Sequence, residues 1–487
     1  MDVCPPSPSE PAPITFGDQV FPHRKVFFKT YGCQMNHHDT ERMLSHLKRL
    51  NFYPTENRKE ADLILFNSCA IRDLANQKFY SHVGETKANK GGKKGVKVGV
   101  GGCIAQVEGK RLLKRFPHVD FAFGTDVIDS INDFVYRAYS GEDKFSVTTW
   151  DRASDYSIET KITHGQPLAF VNIIKGCDKF CSYCIVPFTR GREKSRTIAE
   201  VEDDVRRLVE CHGVQGITLL GQNVNSFGKE HRESLADLIR RLDRIEGLEI
   251  IRYTTSHPYD MGDDLIAAHG ECHKLADHVH LPVQSGSNTV LARMLREYTV
   301  EHFLSLCDKL RKANPNLTLS TDIIVGFPNE TQEEYRDTLA LLDRGKFDFI
   351  YAYTFSPRKG TKAARMNDSL SDEERGRRLR ELQKHQLRIQ ENLRKPLVGK
   401  VFRILVEKKG VMNGVERWQG RSNCMRIVHI DPPQRNDVTT TFATSDLEWH
   451  WVDVEVTSST ALSCRGRLLK DYGKTLPSGL SAKILSA

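Results

Sequence analysis

Short apolar runs alternate with amphipathic helical patterns from residue 24 to about residue 140. The apolar runs cover 26–28, 63–66 and 96–100. The helical patterns that follow them cover 40–50, 72–87 and 106–116. Strands that alternate with helices in this way predict βαβ units, and therefore an open parallel sheet with helices on its faces.

A second series of the same kind begins near Leu168. Its predicted strands cover 169–176, 216–221, 249–255, 278–283, 317–325 and 347–355. Most of them are followed by helical patterns, at 197–211, 234–245, 261–270, 288–296, 300–313 and 330–344. Six βα units are too few for a closed eight-stranded barrel, so we expect a partial (βα)6 barrel with an open mouth at the carboxyl ends of its strands.

The periodicity changes after a charged helical pattern at 371–395. Apolar and polar residues alternate at 400–408, 420–430 and 452–457, which predicts a small antiparallel β-barrel. Small barrels often bind single-stranded nucleic acid, and a protein-interaction module is the alternative.

The patterns together predict an α/β protein with three domains and one extension. The predicted limits are 1–23 for a disordered Pro-rich extension, 24–140 for the N-terminal sheet domain, 163–395 for the partial barrel and 396–465 for the small barrel.

Composition adds four constraints. The chain has 487 residues with 39% hydrophobic content, which is enough for several cores. Its net charge of +8 is compatible with a nucleic-acid partner but is also common on an ordinary solvated surface. No apolar run reaches about 18 residues, so no membrane span is expected. Twelve cysteines without a signal peptide favour a reducing compartment, and hence the cytoplasm.

Cys177, Cys181 and Cys184 are spaced C-x3-C-x2-C directly after the first predicted barrel strand. Three thiolates on one loop can hold three irons of a [4Fe-4S] cluster and leave the fourth iron open to a small molecule. Structural zinc is the alternative, but it usually needs a second ligand pair, and none lies near Cys184. The spacing therefore favours an enzyme with an iron–sulfur site at the barrel mouth.

Cys33, Cys69 and Cys103 each lie just past a predicted strand of the N-terminal sheet. Because parallel strands end at a common edge, the three thiols are expected to converge there. Such a set suits a second cluster with one open iron, whereas three buried core cysteines are the alternative. The two open irons would then look into one shared cavity.

The combined pattern resembles the methylthiotransferases of the radical S-adenosylmethionine (SAM) superfamily, and within them the MiaB-type tRNA enzymes. The resemblance extends from residue 24 to about 460. Its motifs are YGCQMN at 31–36, NSCAIR at 67–72, GGC at 101–103, GCDKFCSYCIVPFTRGR at 176–192, LLGQNVN at 219–225, HLPVQSGS at 280–287 and DIIVGFP at 322–328.

This resemblance implies an N-terminal methylthiotransferase domain, a radical SAM core and a C-terminal TRAM domain. It implies two [4Fe-4S] clusters, an auxiliary one on Cys33, Cys69 and Cys103 and a radical SAM one on Cys177, Cys181 and Cys184. One SAM methylates a sulfur held at the auxiliary cluster, and a second SAM yields a 5′-deoxyadenosyl radical. That radical removes hydrogen from C2 of N6-dimethylallyl (isopentenyl) adenosine at position 37 of tRNA, where methylthio replaces it. An aromatic C–H has no useful acidity, so radical chemistry suits this step.

The implied partners are the tRNA anticodon loop and an electron-donor protein such as flavodoxin or ferredoxin, with the enzyme itself a monomer. Two alternatives stay open. In the first, the methylthio group is added to threonylcarbamoyl-adenosine in tRNA or to a ribosomal-protein residue. In the second, the chain is a non-catalytic metal-bearing RNA-binding protein.

Further candidates lie near the strand ends. Gln222, Ser287 and Asp322 are predicted SAM contacts, although a polar side chain such as Gln222 can equally cap a loop. Four basic residues after the cluster loop are predicted RNA contacts, with a solvated basic loop as the alternative: Arg190, Arg192, Lys194 and Arg196. The adjacent His37 and His38 do not share a helix face, and both are expected at the surface.

Overall fold

The computed structural model describes residues 21–70, 73–150, 160, 166–412, 414–431, 446–476, 480 and 482. The first twenty residues of the predicted Pro-rich extension lie outside this part of the chain.

Six parallel strands form the N-terminal sheet, in the order β2-β1-β3-β4-β5-β6. Its elements are β1 (Arg24–Thr30), α1 (Gln34–Lys48), β2 (Phe52–Pro54), β3 (Leu63–Ser68), α2 (Asp73–Gly92), β4 (Lys97–Gly102), α3 (Cys103–Glu108), α4 (Lys110–Arg115), β5 (Phe121–Phe123), α5 (Ile131–Tyr139) and β6 (Phe145–Val147). The central strand β3 is buried throughout, with Ile64 and Phe66 in one apolar cluster and Leu63 and Leu65 in another. Helices cover both faces, so the expected open parallel sheet is confirmed.

The sheet is wider than the pattern predicts. The three-residue strands β2, β5 and β6 are too short to show a period of their own. The last of them, β6, lies beyond the predicted limit at 140.

The half barrel, formed by six parallel strands, follows. Its elements are β7 (Leu168–Asn172), β8 (Ile174–Lys175), α6 (Val186–Arg190), β9 (Lys194–Ser195), α7 (Ile198–His212), β10 (Gly216–Leu220), α8 (Leu235–Leu242), β11 (Ile250–Tyr253), α9 (Asp263–Glu271), β12 (His278–His280), α10 (Asn288–Arg293), α11 (Val300–Ala313), β13 (Thr318–Val325), α12 (Gln332–Gly345), β14 (Phe349–Thr354) and α13 (Asp372–Arg394). The sheets β11-β10-β7 and β12-β13-β14 meet through a parallel bridge between Ile251 and Leu275. The predicted partial barrel is thereby confirmed.

The two faces of the half barrel differ. Outward-facing residues such as Val171, Leu219 and Ile323 are fully buried beneath the helices. On the inner face, Tyr351 and Tyr353 of β14 are about half exposed. The lumen is therefore open, as expected for a barrel that does not close.

The predicted first strand, 169–176, is interrupted. It divides at Ile173, because β8 leaves the sheet and pairs antiparallel with β9, in the register Ile174–Ser195 and Lys175–Lys194. This small hairpin brackets the cluster loop at its start and a few residues beyond its end.

The C-terminal barrel is closed and has five strands in the order β15-β16-β17-β19-β18. They are β15 (Val401–Met412), β16 (Val415–Ser422), β17 (Ile427–Ile430), β18 (Trp451–Ser459) and β19 (Cys464–Asp471). The predicted small β-barrel is confirmed, but β19 extends beyond the expected limit at 465. A β-bulge opposite Asp453 and Val454 interrupts the alternation of β19 and hides its pattern.

The C-terminal barrel packs against the end of the half barrel where the strands begin. The indole N–H of Trp451 donates to Oε1 of Gln215, just before β10, at 2.8 Å. Arg426 pairs at 2.7 Å with Asp348, just before β14. These contacts place the C-terminal barrel at the end of the half barrel opposite its mouth.

No described helix is both long enough and apolar enough to cross a lipid bilayer.

Substitutions of Trp451 test the contact between the C-terminal barrel and the half barrel, because this side chain is almost fully buried. We expect Trp451→Ala to lower the free energy of unfolding by about 3–5 kcal/mol through the cavity it leaves. Trp451→Phe keeps most of the packing and loses one hydrogen bond, for about 1 kcal/mol. Leu462→Ala, an exposed position of the same barrel, serves as control and changes stability by under about 0.5 kcal/mol. Urea unfolding followed by circular dichroism measures all three. Equal midpoints for Trp451→Ala and Leu462→Ala would contradict the assigned junction.

Candidate active site

The loop after β8 carries Cys177, Cys181 and Cys184, and backbone N–H groups point at two of the three sulfurs. The backbone N–H of Lys179 points at Sγ of Cys177, and that of Val186 points at Sγ of Cys184, each at 3.4 Å. Such donors stabilise a thiolate, which is the form that binds metal.

Burial raises the pKa of two thiols of the loop, those of Cys177 and Cys184. It raises the pKa of Cys177 to about 12 and that of Cys184 to about 12, and the neighbouring thiols of the loop add to the rise. At neutral pH the thiols of Cys177 and Cys184 are therefore protonated. A bound cationic centre is needed to turn them into thiolates, as in other thiolate metal sites.

The glycine before the loop is required by its surroundings. Gly176 has φ +77°, and a Cβ there would lie 2.0 Å from the carbonyl oxygen of Arg192. Its backbone N–H donates to Oε1 of Gln222, beyond the end of β10. The predicted SAM contact Gln222 is therefore adjacent to the cluster loop, where its amide oxygen holds the loop backbone.

Arg296 is a site residue that no sequence motif indicated. One guanidinium nitrogen lies 3.4 Å from Sγ of Cys181, and the other donates to the carbonyl of Pro282 at 2.7 Å. Its Nε donates to the hydroxyl of Tyr298 at 2.7 Å. A buried cation beside the sulfur offsets the negative charge of a thiolate. Arg296 lies 115 positions from Cys181 in the chain, and no spacing rule connects the two.

The second set of cysteines lies at one edge of the N-terminal sheet. Cys33 is the N-cap of α1 after β1, Cys69 follows β3, and Cys103 begins α3 after β4. The three strands are immediate neighbours in the sheet. The predicted convergence of strand ends therefore describes the backbone correctly.

The loops that carry these cysteines touch one another. A Cβ added to Gly32 would lie 2.7 Å from Cβ of Cys69. Asn36 donates from Nδ2 to the carbonyl of Ser68 at 3.2 Å, and its Oδ1 accepts from the Cys33 thiol at 3.5 Å. The Ser68 hydroxyl in turn donates to the carbonyl of Gly101 at 2.6 Å. This network fixes the edge on which the thiols stand.

A buried ion pair connects the two cysteine sets. Arg190 of α6, six residues after Cys184, lies 2.7 Å from Asp39 of α1, and both side chains are buried. Burial lowers the pKa of Arg190, but Asp39 and the sulfurs of Cys103 and Cys33 raise it further, so the net pKa lies above its ordinary value. The guanidinium is therefore charged, and it lies within electrostatic reach of two candidate ligands of the auxiliary set.

A single metal ion such as zinc requires a compact ligand set. Among the residues that the structure describes, no three or more His, Cys, Asp or Glu side chains are arranged as ligands of one metal ion. In a four-iron cube each thiolate binds a different iron, so its three ligands stand farther apart than ligands of a single ion do. Both donor sets consist of thiols that are buried or half-buried, and thiolates are the ligands that iron–sulfur clusters use.

The other two predicted SAM contacts, Ser287 and Asp322, differ in burial and in their neighbours. Ser287 is buried at the start of α10, with its hydroxyl 2.9 Å from that of Thr289. Asp322 lies on β13, 3.4 Å from Nε2 of His280. Only Asp322 shares the partly exposed face of the half barrel with Tyr351, its register partner on β14.

The four basic residues predicted to contact RNA do not form one surface. Arg196 is buried and pairs with Asp204 at 3.0 Å, and Arg190 is buried against Asp39, so their positions do not favour contact with RNA. Arg192 is well exposed and pairs with Asp178 at 2.7 Å, and Lys194 lies in β9. Spacing cannot distinguish an exposed arginine from one that pairs inside the fold.

The expectation that both adjacent histidines lie at the surface is wrong for one of them. His37 is exposed, but His38 is buried, and this burial lowers its pKa to about 4. Because neighbours on a helix point in different directions, α1 directs one outward and the other into the protein.

Comparisons with known proteins agree with this architecture. A family model of the radical SAM superfamily matches residues 171–342, and one described as uncharacterized protein family UPF0004 matches residues 25–124. A solved radical S-adenosylmethionine methyltransferase from Kitasatospora setae shares the fold with a TM-score of 0.55 at 12% identity, over 70% of this chain and 77% of that chain. Fold and family models together define a radical SAM enzyme, a class that uses SAM and a [4Fe-4S] cluster.

The full-length relatives narrow the class. A protein of Bdellovibrio bacteriovorus named tRNA-2-methylthio-N(6)-dimethylallyladenosine synthase is 41% identical over 448 residues, spanning 92% of this chain and 96% of the relative. One of the same name from Cereibacter sphaeroides is 43% identical over 418 residues, spanning 84% of this chain and 92% of the relative. The chain belongs to this family of tRNA methylthiotransferases.

The buried pair between the cysteine sets can be tested by Asp39→Asn. This change leaves the Arg190 charge buried without a carboxylate, and we expect it to lower the free energy of unfolding by about 3–5 kcal/mol. The matched control is Asp178→Asn, which removes the carboxylate partner of the exposed Arg192 and changes stability by under about 1 kcal/mol. Urea unfolding of the two variants compares them directly. A smaller loss of unfolding free energy for Asp39→Asn than for Asp178→Asn would contradict the inferred contribution of the Arg190–Asp39 pair to stability.

Proposed function

We propose that this protein transfers a methylthio group to C2 of N6-dimethylallyladenosine at position 37 of tRNA. The observation that carries the proposal is that two separate thiol triads stand on elements joined by the buried Arg190–Asp39 pair. One triad follows the first strand of a half barrel, and the other lies at the carboxyl edge of a parallel sheet.

In this proposal each triad holds its own [4Fe-4S] cluster. Cys177, Cys181 and Cys184 hold the cluster that binds SAM, and Cys33, Cys69 and Cys103 hold the auxiliary cluster. When bound, the two clusters and SAM supply a carbon-centred radical and a methylated sulfur.

The protein's own residues would orient and shield these groups. The N–H groups of Lys179 and Val186 direct the thiols of the cluster loop, and Gln222 and Arg296 hold the loop from two other elements. Arg190 contributes a fixed positive charge near the sulfurs of Cys33 and Cys103. A cation at this distance stabilises anionic sulfur and disfavours its protonation.

The substrate follows from the family and from the shape of the half barrel. The relatives carry tRNA and dimethylallyladenosine in their name. The open lumen exposes the rings of Tyr351 and Tyr353, which suit stacking with an unpaired base. Anticodon-loop bases are already partly unstacked, so extruding one into the lumen costs a few kcal/mol at most.

Other parts of the proposal follow from this substrate. The C-terminal barrel would add RNA contacts, and a small electron-donor protein such as flavodoxin or ferredoxin would reduce the clusters. A tRNA-modifying role also favours the predicted cytoplasmic location, and we propose that the enzyme acts as a monomer.

The decisive experiment compares three cysteine variants of anaerobically prepared protein. Wild type should contain about eight irons per chain, and both Cys181→Ala and Cys33→Ala should contain about four. Cys181→Ala should form no 5′-deoxyadenosine from SAM under reduction. Cys33→Ala should still cleave SAM but form no methylthio-adenosine in tRNA.

Cys307→Ala, which alters a buried cysteine outside both triads, is the control and should keep wild-type iron content. Mass spectrometry of nucleosides from treated tRNA measures the product. Undiminished SAM cleavage by Cys181→Ala would refute the cluster assignment. Unmodified dimethylallyladenosine after reaction with the wild type would refute the substrate.

A further inference from the structure

A cleft of about 340 Å³ opens between the N-terminal sheet domain and the half barrel. Its walls include Val107 and Arg111 on one side, Ile185 and Phe188 on the other, and Lys359 at the end. None of these five side chains has a role in the site described above.

Two residues of the cleft wall belong to the elements that carry the cysteine sets. Val107 lies one helical turn after Cys103 on α3, and Ile185 follows Cys184 in the chain. The cleft wall is therefore built in part from α3, which begins at Cys103, and from the cluster loop.

One wall offers an aromatic surface to the outside. Phe188, which lines the cleft, is 51% exposed. Its ring meets that of Phe180 edge to face, with 6.5 Å between centroids, and the guanidinium of Arg192 lies 5.9 Å from the Phe180 ring. Exposed rings with cations close by are the usual platform for unpaired bases.

The other walls add positive charge. In the part of the chain that the structure describes, neither Arg111 nor Lys359 pairs with a carboxylate. One guanidinium nitrogen of Arg111 donates only to the carbonyl of Val107, at 3.0 Å. Both cations are thus available to an anion, and phosphate oxygens are the anions that RNA presents.

We propose that this cleft binds one unpaired nucleotide of the anticodon loop, next to the target adenosine. Its base stacks on Phe188, and its phosphate lies between Arg111 and Lys359. The inference rests on the proposed function and deepens it by naming where the RNA strand is held.

The dimensions and chemistry favour a nucleotide over other occupants. A volume of about 340 Å³ is near the lower end for small-molecule sites, so it suits one base with its sugar better than a folded segment. Cations beside an exposed ring match a phosphate attached to a base, whereas an apolar peptide would leave both charges unpaired.

Binding of a fluorescent anticodon stem–loop RNA that carries dimethylallyladenosine tests the cleft in the anaerobic holoenzyme. Phe188→Ala should raise Kd about 5- to 150-fold, as expected for the loss of one base–aromatic stack. Phe188→Trp should bind the RNA about as tightly as the wild type, because tryptophan keeps an aromatic surface for stacking. Iron content measured on each variant verifies that both clusters are in place.

The charge contribution is measured by the salt dependence of Kd. Arg111→Gln should reduce the slope of log Kd against log salt by about 0.7, the value for one phosphate contact on a single strand. The matched control is Lys114→Gln, an exposed position of the same helix α4 that does not line the cleft, and it should leave the slope unchanged.

The outcomes separate this inference from the function on which it rests. If the wild type binds the RNA and both Phe188→Ala and Arg111→Gln bind it equally well, the cleft assignment is overturned while the function stands. Equal losses for Arg111→Gln and Lys114→Gln would show general electrostatics and overturn it too. If the cleft variants bind RNA with unchanged affinity but their clusters are reduced more slowly by flavodoxin, the cleft binds the electron donor instead and the inference is overturned. A wild type that binds no anticodon stem–loop would refute the tRNA substrate itself.

Discussion

The contact between Arg190 and Asp39 determines how the two halves of the candidate site are related. Each charge is removed from water, and a buried ion is tolerated only while its partner stays in place. Lys175 and Asp126 form a second pair between the same domains, at 2.5 Å. The arginine follows the cluster loop, and the aspartate follows Cys33 on α1. Separating the two domains would therefore leave each charge without its partner. The triads are thereby kept at one spacing.

The rest of the fold is arranged around this fixed spacing. The C-terminal barrel contacts the half barrel through Gln215 and Asp348, at the ends where strands begin. Both cysteine sets lie where strands finish. Within the half barrel, the contacts with the C-terminal barrel and the cluster loop are therefore at opposite ends of the strands, because parallel strands all point the same way.

Much of this could be predicted from the sequence, and the failures have physical reasons. Periodicity located all six strands of the half barrel, and the cysteines were expected at strand ends, where they lie. Short strands such as β5 and the bulged β19 escaped because their patterns span too few regular residues. Arg296 and Asp39 escaped because a contact between distant positions leaves no local signal. Arg196 shows the reverse error, since a basic run gives no information about which members are buried.

The burial of Cys177 and Cys184 has a consequence for the reactivity of their thiols. Oxidants and disulfides react with the thiolate and hardly with the thiol. Because burial raises the pKa of Cys177 and of Cys184 to about 12, very little of either is anionic at neutral pH. Without a bound metal, the thiols of Cys177 and Cys184 are thus poor nucleophiles toward peroxides and disulfides.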